Sequence, residues 1–153
     1  MGERIQLVVF RLDEQRYALP LATVERVVRA VEITSLPGAP AIVLGMIDVE
    51  GRVLPVLNMR RRFRLPEREV GPADHFLIAR TARRAVALVI DEAHDVAYHD
   101  QSAVTDSDQI IPDLAQFPGV AKADDGLVLI HDLDKFLSLD EARTLDGAIE
   151  RVK

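Results

Sequence analysis

Short aliphatic runs, broken repeatedly by turn-forming residues, set the pattern of this chain. Ile5 to Leu12 (IQLVVFRL) reads as a strand, Asp13-Glu14 as a turn, and Tyr17 to Leu21 as the returning strand. Val24, Val27, Val28 and Val31 then recur at helical spacing, but β-branched side chains lose χ1 freedom in a helix. The expectation there is a single helical turn, capped by Thr23, followed by a strand. Pro37, Gly38 and Pro40 make a rigid loop. Val43 to Val49 and Arg52 to Leu57 predict a hairpin around Glu50-Gly51. Pro55 has no N–H to give a ladder, so its strand is expected at an edge or bulged at that point. Asn58 predicts the cap of a short helix through Leu65, which Pro66 ends.

A second series follows. Phe76 to Thr81 and Ala85 to Ile90 flank a turn at Ala82-Arg83, and Ala93 to Tyr98 reads as a third strand. Residues 99 to 116 are polar and mixed, which predicts a long loop with a short helix. Val120 to Ala123 and Leu127 to Ile130 flank Asp124-Asp125-Gly126, a hairpin signal. Asp132 predicts the cap of a short helix ending near Phe136. Ser138 and Glu141 form a capping box for a final helix in the C-terminal tail, 138 to 153. A gap-free internal match sets GMIDVEGRVLPVLNMR (45 to 60) over GVAKADDGLVLIHDLD (119 to 134). Each copy is a hairpin, then Asn or Asp as a helix cap. The match predicts two similar β-subdomains within a single domain over 1 to 153.

Composition narrows the function. The chain has 153 residues, of which 48% are hydrophobic but only 5% aromatic, so its core is aliphatic and suited to strands. A formal charge of -6 does not suit a nucleic-acid binder, which needs a basic surface. Cysteine is absent, which excludes disulfides and thiolate metal sites. No apolar run is long enough to span a bilayer, and the N-terminus lacks a signal-peptide layout. The histidines (75, 94, 99 and 131) match no metal-ligand spacing. Asp124, Asp125, Asp132 and Asp134 fall at turn and cap positions, Asp106 and Asp108 in the polar loop, and no acid is paired with a base or nucleophile. Neither an enzyme nor a cofactor is expected. Arg60, Arg61, Arg62 and Arg64 form a basic run, expected as a solvated helix face with Met59, Phe63 and the stem of Arg62 turned inward. The aliphatic surplus of AIVLGMI (41 to 47) points instead to a protein partner, because two small subdomains cannot hide it all.

These residues resemble the CheW family of bacterial chemosensory coupling proteins. The family reads roughly V-x-E-I, then I-P-x-x-P-x-F-I-x-G-x-I-N-L-R-G-x-I-I-P-V-x-D-L-R. This chain has VERV (24 to 27), LPGAPAIVLGMIDVEGRVLPVLNMR (36 to 60), and GLVLIHDLDKFL (126 to 137) for the closing strand and helix. The resemblance implies a mainly β fold: two SH3-like five-stranded β-barrel subdomains with short helices and a C-terminal helix. It implies a non-enzymatic adaptor in the cytoplasm, at membrane-associated receptor arrays and without direct membrane insertion. The adaptor would join the regulatory domain of a CheA-type histidine kinase, itself a paralogous fold, to the cytoplasmic tip of a chemoreceptor. Carried over by motif, the kinase-facing surface would comprise Val43, Gly45, Met46, Glu50, Gly51 and Arg26, with a side chain at Gly45 holding the surfaces apart. A receptor groove would comprise Val8, Leu21, Val24, Val27 and Val96.

Two departures stand out. Glu50 occupies the place of the Arg in N-L-R-G, and Arg26 that of the Glu in V-x-E-I. The expectation is an ion pair of reversed polarity that serves orientation and partner choice. Asp48 for Asn and Asn58 for Asp are milder changes. Together they imply a divergent member, such as an adaptor of a type IV pilus or developmental pathway rather than a flagellar one.

Overall fold

The computed structural model describes residues 4–100, 104–106, 119–123 and 126–152. Within them the aliphatic runs become strands β1 (Arg4–Leu12), β2 (Gln15–Pro20), β3 (Val24–Arg29), β4 (Val43–Val49), β5 (Arg52–Leu57), β6 (His75–Arg80), β7 (Ala85–Ile90), β8 (Glu92–Asp100), β9 (Val104–Asp106), β10 (Gly119–Ala123) and β11 (Gly126–Ile130). One sheet has the order β8-β1-β2-β11-β10-β9, the other β3-β6-β7-β5-β4. The fold is therefore mainly β, with sheets of six and five strands. The sixth strand, β9, lies in the stretch expected to be loop; the rest of that stretch between 107 and 116, and Asp124-Asp125, lie outside the described residues.

The internal match is a real structural repeat. Gly45 faces Val56, Ile47 faces Leu54 and Val49 faces Arg52; in the second copy Gly119 faces Ile130, Ala121 faces Val128 and Ala123 faces Gly126. The repeat also extends further upstream than the sequence match. Val9 faces Ala18 as Ile78 faces Ala87, an offset of 69 residues on both strands. The same offset carries the pair Leu77–Val27 onto Val8–Val96 across the next ladder. Yet the two sheets are not consecutive along the chain. The early hairpin β1–β2 pairs with the late strands β8 and β11, and β6–β7 pairs with the early strands β3 and β5.

In the five-stranded sheet the segment beyond the edge strand β3 comes back to pair with β4. Beyond β3, the Thr34 N–H donates to the Met46 carbonyl at 2.8 Å and the Met46 N–H to the Thr34 carbonyl at 2.7 Å. Thr105 and Val120 repeat this bridge between β9 and β10. The close approach of Thr34 explains Gly45. Its φ is +153°, and a Cβ there would lie 2.3 Å from the Thr34 carbonyl oxygen and 2.7 Å from Ile33 Cγ2. Pro55 is not at an edge, because β5 runs between β7 and β4. It is tolerated because pairing with β7 begins only at Val56, and Met46, the residue opposite on β4, gives its own N–H and carbonyl to Thr34.

The core has three parts. Leu7 and Val9 turn into the six-stranded sheet with Ala18, Val128 and Ile130. Phe76 and Ile78 turn into the five-stranded sheet with Ile47, Leu54 and Val56. The alternate residues, Val8, Phe10, Leu77 and Ala79, meet in a central cluster between the sheets. Strands β1 and β6 are thus buried on both faces, which is why they read as unbroken aliphatic runs. Helix α2 (Leu139–Val152) seals the central cluster with Leu145 and Ala148. Its capping box forms as expected: the Ser138 N–H reaches Glu141 at 2.8 Å, and the Glu141 N–H reaches Ser138 Oγ at 3.1 Å.

Local chemistry departs from expectation at three points. Thr23 ends the 3₁₀ turn Leu21–Thr23 rather than opening it, and its hydroxyl donates to the Pro20 carbonyl at 2.8 Å. Helix α1 is only Met59–Arg62, capped by Asn58, because Arg64 takes a left-handed φ of +59° and the Leu65 N–H closes onto the Arg60 carbonyl. Arg60 is not on a solvated face. It is buried at 7% exposure and bonds Asp91 at 2.7 Å and Asp13 at 2.8 Å. Asp91 also accepts the Asp13 N–H at 2.7 Å and a bond from Arg68 at 2.6 Å, and Arg68 in turn holds Asp74. A charge so deep needs this pairing, since unpaired it would cost several kcal/mol.

Gly45→Ala must displace the Thr34 backbone, and a loss of about 2–4 kcal/mol is expected in urea unfolding. Burial raises the Asp91 carboxyl, but bonds from Arg60, the Asp13 N–H and Arg68 outweigh it and leave the group below its ordinary value. The Arg68 bond, against burial and with help from the Gly71 N–H, likewise holds Asp74 low. Depressed carboxyls stabilise the fold fully above their unfolded range, and the contribution disappears as pH falls through the folded values. Stability should therefore drop below about pH 4. Asp91→Asn should cost about 3 kcal/mol at neutral pH and flatten that acid limb.

Candidate docking surfaces

The tip of the β4–β5 hairpin is a tight turn in which Glu50 (φ +53°) and Gly51 (φ +87°) are both left-handed. The Asp48 carboxylate accepts the Gly51 N–H at 2.8 Å and fixes the turn. Two left-handed residues match the twist of a two-residue hairpin, but glutamate enters that region at a cost of about 1 kcal/mol. Arg26 on β3 reaches Glu50 with a closest approach of 3.2 Å, so the expected reversed pair forms. Next to it, Arg52 bonds Glu25 at 2.7 and 3.4 Å, and Arg80 approaches the same carboxylate at 3.8 Å. The Arg52 bond holds the Glu25 carboxyl below its ordinary value. The Glu50 side chain remains 77% exposed and that of Arg26 42%, so both are open to a partner.

Of the six residues expected to face a kinase, Arg26, Glu50 and Gly51 are exposed and Met46 is half-buried. Val43 is not available, since it packs into the central cluster at 8% exposure. Gly45 is buried, and the close approach of Thr34 accounts for it without any partner. The outward aliphatic residues on this hairpin are Leu44 and Val53, at 37% and 60% exposure. Alternation along β4, with 43, 45 and 47 inward and 44 outward, carries that signal. Met46, Val53 and Pro55 line a shallow cleft of about 390 Å³ with Ile149 of α2 and the arginines 52, 80 and 84.

Four of the five residues expected to line a groove share one cluster. Val8, Leu21, Val24 and Val27 all belong to or pack against the central cluster. Val96 faces Val8 in the β1–β8 ladder and, by the internal offset, occupies the place that Val27 holds in the other sheet. Val8 is only 6% exposed, however, so it supports this wall from behind rather than lining an open groove. Leu21, Val24 and Val27 are half-buried. A separate apolar cleft of about 480 Å³ lies between the Thr81–Arg83 turn and the start of α2, with Leu57, Leu133, Phe136 and Leu139 in its wall. Its residues come from segments far apart in the chain, so no local pattern announces it.

Asp132 and Asp134 have structural roles. Asp132 caps the 3₁₀ turn Leu133–Lys135, and Asp134 accepts the Ala82 N–H at 2.7 Å. His131 is fully buried, with Phe63 and Phe136 edge-on at 5.2 and 5.7 Å. Among the described residues no group of three His, Asp or Glu side chains could hold a metal ion, and no helix is long and apolar enough to cross a membrane.

Comparison with known proteins agrees with this architecture. The chemotaxis protein CheW of Treponema pallidum is 26% identical over 94% of this chain and 88% of that protein. The protein FrzA of Myxococcus xanthus is 32% identical, over 54% of this chain and 51% of its own length. The crystal structure of the scaffolding protein TtCheW from Thermoanaerobacter tengcongensis matches with a TM-score of 0.80 at 27% identity, covering 92% of this chain and 96% of that one. The family of CheW-like domains matches residues 6–141. With so much of its length inside that match, the chain belongs to the CheW-like domain family.

Proposed function

We propose that this chain is a non-enzymatic adaptor that couples a CheA-type histidine kinase to the cytoplasmic tips of chemoreceptors, at receptor arrays in the cytoplasm. The match to a solved scaffolding protein over nearly the full length of both chains carries this reading. The buried Arg60 and Asp74 fit it, because their ion pairs hold turns and connectors together. The kinase-facing site is the β4–β5 tip. Glu50 keeps a strained backbone that glycine or asparagine would adopt more cheaply, and its carboxylate is exposed beside Arg26. Strain retained at an exposed position points to a role outside folding. The aliphatic wall of Leu21, Val24 and Val27 suits an amphipathic helix of a receptor hairpin, where apolar burial supplies affinity.

The direct test is a pull-down with the regulatory domain of each CheA-type kinase in the source organism; failure with all of them overturns the adaptor reading. A double reversal, Arg26→Glu with Glu50→Arg, should keep the melting temperature within a few degrees and shift kinase affinity. An unchanged affinity would remove the pair from partner choice. Glu50→Gly relieves the left-handed strain and gives up an exposed ion pair. Its stability should stay within about 1 kcal/mol of the wild type while kinase binding weakens.

A further inference from the structure

The basic run from Arg60 to Arg64 divides into two pairs. Arg60 is buried against Asp13 and Asp91. Arg62 bonds Glu141 at the start of α2 and lies 5.5 Å over the ring of Phe136. These two hold the fold. Arg61 and Arg64 are exposed, and neither guanidinium has a carboxylate partner among the described residues. Both line one cleft of about 320 Å³, whose other walls are Ala41, Ile42, Arg62 and Glu141. Glu141 takes Arg62 and the Ser138 N–H at Oε1 and makes no ion pair with Arg61 or Arg64.

Arg64 is also costly to the fold. It follows the last residues of α1 at φ +59°, the position that glycine ordinarily fills at the end of a helix. Interaction with a helix dipole does not repay this, because α1 is a single turn. We propose that Arg61 and Arg64 form a docking site for an acidic segment of a partner protein, with paired carboxylates held by the two guanidinium forks above the Ala41–Ile42 wall. Guanidinium groups favour bidentate bonds to carboxylates. A nucleic acid or an anionic membrane needs a broad basic surface, and a chain of net charge -6 with two outward arginines here does not offer one. The site lies apart from the β4–β5 tip and does not depend on which kinase binds there.

The test is titration of the full chain with a hexaglutamate peptide, followed through the side-chain Nε–Hε signals of its arginines by NMR. The expected result is a perturbation centred on Arg61 and Arg64 that fades with added salt and is lost in the double variant Arg61→Glu, Arg64→Glu. Arg64→Gly should raise the melting temperature and yet weaken peptide binding about threefold, by loss of one charged contact. A merely structural Arg64 could not give that opposed pair of changes. The proposal is overturned if the peptide perturbs all exposed arginines alike or none. It is equally overturned if phosphatidylglycerol vesicles or a single-stranded oligonucleotide engage the two arginines while the peptide does not.

Discussion

The carboxylate of Asp91 is the point at which both sheets meet. It follows the end of β7 in the five-stranded sheet and accepts the N–H of Asp13, which turns the β1–β2 hairpin of the six-stranded sheet. Arg60 reaches it from the helix that follows β5, and Arg68 from the connector toward β6. Four segments are thereby fixed by one acid. The arrangement succeeds because the charges are matched where they are buried: Arg60 has two carboxylates, and Asp91 has three guanidiniums, those of Arg60, Arg68 and Arg11, and a backbone donor. The apolar central cluster supplies the bulk of the driving force between the sheets. The ionic clasp fixes how they sit against each other, and with them the wall formed by Leu21, Val24 and Val27.

Much of this fold was legible in the residues. Aliphatic runs bounded by Asp-Glu, Glu-Gly and Asp-Gly gave the hairpins, and Asn58, Asp132 and the Ser138–Glu141 box gave the helix starts. Partner strands were not legible. Nothing local in β2 says that it lies beside β11, because a parallel pair of such separation leaves no turn between its members. Burial on both faces also erased the period-two pattern in β1 and β6 that would have told inside from outside. The basic run misled for a related reason. Consecutive arginines look solvated, and only the distant Asp13, Asp91 and Glu141 show which two are structural.

The candidate surfaces were legible to a different degree. Family motifs located the β4–β5 tip, and the Arg26–Glu50 pair could be deduced from two exchanged letters. Motif transfer does not distinguish a residue kept for packing from one kept for contact, so Val43 and Gly45 were drawn into the surface. Simple alternation on β4 separates them from Leu44. The cleft beside α2 required tertiary structure, since its walls come together only after α2 docks.

The exchange of hairpins between the two halves bears on synthesis. While the first half emerges from the ribosome, β1 and β2 lack β8 and β11, and β3 and β5 lack β6 and β7. The five-stranded sheet has all its strands once β7 is out, at Ile90, whereas the six-stranded sheet waits for β11, at Ile130. The nascent chain must carry β1 and β2 without their outer neighbours until β8 and then β11 emerge. The six-stranded sheet closes last, in a long-range and slow step against a five-stranded sheet whose strands are all already present. A protein so built gains a single cooperative body from a duplicated plan, and it has most to gain from a chaperone before it meets any partner.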